Sequence, residues 1–408
     1  MSSCIRAVLI SAVGLLIAMR PSFAWQGTAT ARIGEGATSA PVIDQVVRDL
    51  CGKRVAILGE SPTHGFGQVL ELKTAIARRL IDECHYTAFF IESGAYDFLR
   101  IQKTLKAGGR IDQSAVAAAI GGLWANREVE PLIPFLVERA RRGSVVLGGL
   151  DDQLGRGTYA QQRMAFDLVE PLAADDKQRC LAILQRHLLW QYDDAAPYSR
   201  KDNALLLGCL DTMARVRDSG RVANQYELAM IENLRRTLAR DFREDTIAGV
   251  DPRTRDFNDR DRSMYENFDW LMSRLPETTR VIVWTATPHA AKTLRGIPGQ
   301  EGKVSLGSYI RRRFAAEAFA LGFSEYSGSY AMGRQPARAL VAAPPNSLEG
   351  QLFAHGEVGP RYLDASQLRA LGNIPGRVLG VDFTAATWSD VFDGLVVFRD
   401  EHPAHPVP

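Results

Sequence analysis

Residues 55–65 read V-A-I-L-G-E-S-P-T-H-G. Five residues, 55–59, form a continuously apolar run, and the polar residues Glu60 and His64 follow at once. A run of that length without polar alternation is what a strand buried on both faces requires, as in a parallel sheet covered by helices. The same grammar recurs outward from it. Residues 88–91 are apolar and lead into Glu92-Ser93-Gly94, residues 144–150 lead into Asp151-Asp152-Gln153, and residues 281–284 lead into Thr285-Ala286-Thr287-Pro288-His289. Helical periodicity fills the gaps. Leu70, Ala77, Leu80 and Ile81 share one helical face, as do Val129, Leu132, Ile133, Leu136 and Ala140. Strand alternating with helix predicts an α/β fold with a mostly parallel sheet flanked by helices.

Between the third and fourth runs the pattern changes. Residues 159–275 contain no convincing strand, only amphipathic stretches near 159–172, 177–192, 201–217, 224–242 and 254–275. They predict a large all-helical insertion, either a lid over a cleft or extra core. Beyond Gly296, residues 318–323, 338–342 and 394–398 are further strand candidates. A single α/β domain over 42–400 is expected, after a loose segment at 25–41 and before a tail at 401–408.

Composition narrows the classes. Hydrophobic residues make up 46% and charged residues 24% of the 408, close to globular norms. With 49 basic and 47 acidic residues the net charge is +2, too small a field to favour nucleic acid or an anionic membrane. A small-molecule substrate fits better. At the N-terminus, Arg6, an apolar stretch over 7–19 and Ser22-Phe23-Ala24 before Trp25 read as a signal peptide, residues 1–24. That stretch is shorter than the ~20 residues needed to span a bilayer. The expected location is therefore secreted or periplasmic, with no membrane association after cleavage.

Removal of Cys4 with the signal leaves Cys51, Cys84, Cys180 and Cys209, an even set that permits disulfides in an oxidising compartment; four buried thiols are the alternative. Cys51 and Cys84 each lie four residues before a strand, so neighbouring parallel strands would bring them together. Cys180 and Cys209 lie on consecutive predicted helices of the insertion, which suggests the second pair.

In a parallel α/β sheet, ligands bind in the crevice at the carboxyl ends of the strands. Glu60, His64, Glu92 and His289 all follow predicted strands, and two histidines with two carboxylates suffice for acid–base work. Singly, each has a structural reading: a solvated loop carboxylate, a helix-capping histidine, a packed core histidine. Lys73 interrupts the Leu70–Ala77–Leu80 seam; it either snorkels outward along its stem, the ordinary outcome, or reaches the same cleft. No G-x-S-x-G elbow, P-loop, dinucleotide fingerprint or H-E-x-x-H spacing is present.

The motifs resemble those of the erythromycin esterase family. The resemblance runs through L-G-E-S-P-T-H-G (58–65), the helix with Lys73, F-I-E (90–92), L-W-A-N-R-E-V (123–129) and Gly149-Leu150-Asp151-Asp152-Gln153. It resumes at R-D-R-S-M-Y-E-N-F-D-W-L (260–271) and V-I-V-W-T-A-T-P-H (281–289). It implies ester or lactone hydrolysis without metal or other cofactor, with a histidine as general base on water and carboxylates orienting it. Glu60, His64, Glu92 and His289 match the family's catalytic positions. Lys73, Arg127, Asp152 and Arg260, within the matching motifs, are expected to bind substrate. Two departures sit in this region. Three residues separate Glu60 from His64 where the family usually has two, and Ala286 stands where it usually has an earlier histidine. They bear on whether a macrolide is the substrate more than on the fold. Metal-dependent hydrolysis by the same Glu/His cluster, and a periplasmic haem or small-molecule binder without turnover, are the competing expectations.

Overall fold

The computed structural model describes residues 39–60, 63–218, 224–242 and 251–407. The expected signal peptide, residues 1–24, and nearly all of the expected loose segment lie outside these residues. The first helix, Ala40–Cys51, has a proline in its first turn and buries Val42, Ile43, Val46, Val47 and Leu50 on one face.

Ten strands are present among the described residues. They are β1 (Val55–Leu58), β2 (Ala88–Gly94), β3 (Val146–Asp151), β4 (Val281–Trp284), β5 (Ala318–Tyr330), β6 (Arg338–Leu340), β7 (Arg361–Asp364), β8 (Asn373–Gly376), β9 (Thr384–Thr387) and β10 (Gly394–Glu401). The main sheet runs β3-β2-β4-β1-β5-β10-β7. Every pair from β3 to β10 in that order is parallel, whereas β7 joins β10, and β6 the end of β5, antiparallel. A separate antiparallel pair is formed by β8 and β9.

The apolar runs become central strands because both faces are covered. Ala56 and Leu58 pack with the helices Ala40–Cys51 and Gly67–Cys84, while Val55 and Ile57 pack with Met264, Phe268 and Leu271 of the helix Pro252–Met272. Between β3 and β4 the described residues form no strand, only the helices Tyr159–Gln162, Met164–Val169, Ala174–Leu188, Arg200–Arg217, Gln225–Asp241 and Pro252–Met272 with their connecting loops. Most of these share a third apolar cluster built around Met164, Leu184, Leu210 and Leu234.

Both disulfides form. Cys180–Cys209 ties Ala174–Leu188 to Arg200–Arg217, with Cα atoms 5.5 Å apart. Cys51–Cys84 joins the last residues of two helices, with Cα atoms 5.0 Å apart. The strand argument for this pair fails even so, because β1 and β2 are not neighbours: β4 lies between them. Arg280, just before β4, donates from Nη1 to the carbonyls of both Cys51 and Cys84 (2.8 and 2.9 Å). The convergence of two helix ends, rather than strand adjacency, brings the cysteines together.

Candidate active site

Leu58 of β1 and Ile91 of β2 both sit opposite Trp284 of β4. The residues that follow therefore leave the sheet at one level, with Thr285 and Ala286 in the centre, Glu60 on one side and Glu92 on the other. The four strand ends singled out in the sequence meet at one edge.

On the β1 side, His64 Nδ1 lies 2.5 Å from Glu60 Oε1. Lys73, 0% exposed, reaches inward and gives Nζ to Glu60 Oε2 (3.2 Å) and to the Thr285 carbonyl (3.3 Å). Snorkelling is thus the wrong outcome for Lys73. Its ammonium lies over the Trp284 ring (4.0 Å to the centroid) and the Trp124 ring (5.1 Å), which replace part of its lost hydration. Burial lowers its pKa to about 8 against the pull of Glu60, so it remains largely protonated at neutral pH. His64 holds a left-handed backbone, φ 54°, uncommon for a side-chain-bearing residue. Gly65 follows because a Cβ there would collide with the Ala331 carbonyl. Its own carbonyl accepts from Ala331 (3.2 Å) and Ala404 (2.9 Å), which pins the loop.

On the β2 side, Glu92 Oε2 accepts from Thr285 Oγ1 (2.6 Å) and the Ala286 N–H (2.8 Å), and Oε1 from Arg260 (2.8 Å). Arg260 also grips Asp151 Oδ2, at 2.6 Å from Nη2 and 3.1 Å from Nε. His289 is stacked on Phe257 (centroids 5.0 Å, planes 9° apart) and gives Nδ1 to Asp261 Oδ2 (2.7 Å). Its Nε2 stands between Arg260 Nη1 (3.2 Å) and Glu92 Oε1 (3.5 Å). Burial alone would lower the pKa of His289, but the carboxylates of Asp261 and Glu92 outweigh it and raise it. Burial alone would likewise raise Glu92, yet His289 and Arg260, with the Thr285 hydroxyl, hold it well below the usual carboxylate range. Glu92, Asp151 and Asp261 face a single guanidinium, so a proton on His289 restores much of the local balance. Trp124 joins the two sides: its indole N–H donates to the Glu92 carbonyl (3.4 Å), and its ring meets His64 edge-on (centroids 4.8 Å).

Two expected substrate-binding residues are placed otherwise. Asp152 is wholly buried, and its carboxylate is taken by both Arg240 nitrogens (2.6 and 2.7 Å) and Ser263 Oγ (2.6 Å). It anchors the helices Gln225–Asp241 and Pro252–Met272 to the end of β3. Arg127 is exposed, and its backbone N–H donates to the His405 carbonyl (2.8 Å). Asp261, Asp151, Trp124 and Thr285 were not singled out as site residues. A signal existed for Asp261: it falls on the Phe257–Met264–Phe268–Leu271 seam, where a carboxylate is as anomalous as Lys73 is on its helix.

A shallow, half-open depression lies against Glu60 and His64, lined also by Gly65, Phe66, Val69 and Leu70. A cation fits this donor set poorly, since Glu60 is neutralised by Lys73 and Glu92 by Arg260.

A parallel α/β sheet that gathers histidine–carboxylate pairs at its carboxyl edge places acid–base groups where such folds bind their ligands. The erythromycin esterase family model matches residues 81–401, and the chain belongs to that family as an esterase-like hydrolase. The match begins after the loop that carries Glu60 and His64. The protein called "Putative hydrolase YbfO" of Bacillus subtilis (strain 168) is 23% identical over 328 residues, covering 75% of this chain and 73% of that one. Among solved structures, a succinoglycan biosynthesis protein superposes with a TM-score of 0.67 at 14% identity, covering 90% of this chain and 92% of its own. A mutant of the erythromycin esterase EreC, in its open conformation, gives 0.60 at 15% identity over 88% and 93%. At such identities the two structures establish the fold alone.

Proposed function

We propose that the protein hydrolyses a carboxylic ester or lactone by direct attack of water, with His64 as general base. The observation that carries this is the His64–Glu60–Lys73 chain at the sheet edge. Glu60 holds His64 through Nδ1, which leaves Nε2 to take a proton from water as its oxygen adds to the carbonyl carbon. The other oxygen of Glu60 is held by Lys73, which fixes the carboxylate that orients His64. The protonated His289 and Arg260 then stabilise the oxyanion. Collapse of the tetrahedral intermediate breaks the C–O bond, and the proton on His64 passes to the leaving alkoxide. The products are a carboxylic acid and an alcohol, or a hydroxy acid from a lactone.

Export to the periplasm or medium is part of this proposal. It rests on the signal-like residues 1–24 and on two disulfides that an oxidising compartment would preserve. Among the described residues no helix is long and apolar enough to cross a membrane. The deciding experiment is a hydrolysis screen of the purified protein against aryl esters, small lactones and macrolides, with and without a chelator. Chelator-insensitive turnover of at least one class is expected. Binding without turnover of any class would overturn the proposal in favour of a ligand carrier, and turnover abolished by chelator in favour of a metal-dependent hydrolase.

A further inference from the structure

Residues 401–408, expected as a tail, read E-H-P-A-H-P-V-P. Beyond β10 the described part runs as a strap across the loops that carry the site. Phe66 bridges to Pro403 and Asn126 to Pro406. The Gly67 N–H donates to the His402 carbonyl (2.8 Å), the Ala404 N–H to the Gly65 carbonyl (2.9 Å), and the Val407 N–H to the Ala125 carbonyl (3.0 Å). Each histidine of the strap precedes a proline, which restricts both backbones to extended conformations.

The two rings converge on Glu128. One donor atom from each of Glu128, His402 and His405 lies within 4.8 Å of the other two. Glu128 is buried, and its carboxylate is steadied by the His405 N–H (3.1 and 3.2 Å) and meets His405 Nδ1 at 2.6 Å. The His402 ring lies directly over Gly67, where a Cβ would collide with it. Its centroid is 5.5 Å from that of His405. Glu71, on the helix Gly67–Cys84, is close enough for its carboxyl to feel His402, Glu128 and His405.

We propose that Glu128, His402 and His405 form a binding site for a divalent transition-metal ion, zinc by chemistry, separate from the hydrolytic centre. Two imidazole nitrogens and a carboxylate oxygen are a donor set zinc takes at ~2.0–2.2 Å, with water as the fourth ligand. The His405 side chain is 58% exposed, which leaves room for it to turn toward an ion. Zinc binding replaces the direct contact between His405 and Glu128 and clamps the strap onto residues 65–67 and 126–128.

The test uses tag-free protein stripped with chelator and dialysed, then titrated with zinc by calorimetry and by equilibrium dialysis with metal analysis. One zinc per chain is expected, with a rise in Tm. His405→Ala, at an exposed position, should keep the fold and bind at least ~100-fold more weakly, and Glu128→Gln likewise, since loss of even an outer partner costs 10–100-fold. His64→Asn should bind as the wild type does, which separates this site from the hydrolytic one. No zinc bound by the wild-type protein, or unchanged affinity in His405→Ala, would overturn the proposal.

Discussion

Asp261→Asn isolates the electrostatics of the β2 side of the site. Asp261 is wholly buried, accepts from the Leu306 N–H through Oδ1 (2.6 Å) and meets His289 Nδ1 through Oδ2 (2.7 Å). Asparagine keeps the shape and the Leu306 bond but removes the charge. A hydrogen bond to a charged group contributes roughly 1.5–3 kcal/mol, so the imidazolium-to-imidazole ratio of His289 should fall about 10- to 100-fold. Glu92, 3.5 Å away, still favours the proton, which keeps the effect within that range. The sign for stability follows from linkage. The folded-state pKa of His289 is raised above 6.5, so its contribution is complete below that value and lost as pH rises through the folded pKa. The stability gap between wild type and Asp261→Asn, by urea denaturation, should therefore be larger near about pH 5.5 than near about pH 9. An NMR titration of the histidine Cε1 protons should show one resonance, that of His289, moving to lower pH. A gap independent of pH, together with an unmoved resonance, would refute the argument that Asp261 holds a proton on His289.

Gly65→Ala must push a Cβ into the Ala331 carbonyl; a loss of roughly 1–3 kcal/mol by urea denaturation is expected, with activity falling as the His64 loop shifts. Replacing Cys180 and Cys209 by serine opens a 29-residue separation and should cost about 3–4 kcal/mol, while non-reducing peptide mapping of the wild type should recover Cys51–Cys84 and Cys180–Cys209. Arg240→Met strands the buried Asp152 carboxylate, so about 3–5 kcal/mol of stability should be lost with KM little changed; a large rise in KM with stability intact would return Asp152 to the substrate.

The part of the fold legible in the sequence is the part where burial writes a local pattern. Strands covered on both faces must be apolar throughout, so β1 to β4 stood out, and with them the polar residues that end each run. Strand order leaves no such trace. Nothing local says that β4 inserts between β1 and β2, and for this reason the Cys51–Cys84 pairing was reached through an adjacency that does not exist. The short strands β7, β8 and β9 (R-Y-L-D, N-I-P-G and T-A-A-T) carry polar residues or proline and have no apolar run to find. Site roles divide the same way. Lys73 was detectable as a charge on an apolar seam, but its direction depended on Glu60 and two tryptophans from distant segments. Asp152 had every mark of a site residue until Arg240, 88 positions away, claimed its carboxylate.

The central claim is that His64 is the general base of an ester or lactone hydrolase. Asparagine is the variant of choice, because it tolerates the left-handed backbone at position 64 and leaves the Glu60–Lys73 pair in place. The measurement is kcat/KM of His64→Asn on the best substrate from the hydrolysis screen, with circular dichroism and the urea midpoint confirming the fold. A fall of about 10²- to 10⁴-fold is predicted. A folded His64→Asn protein that turns substrate over at the wild-type rate would contradict the account.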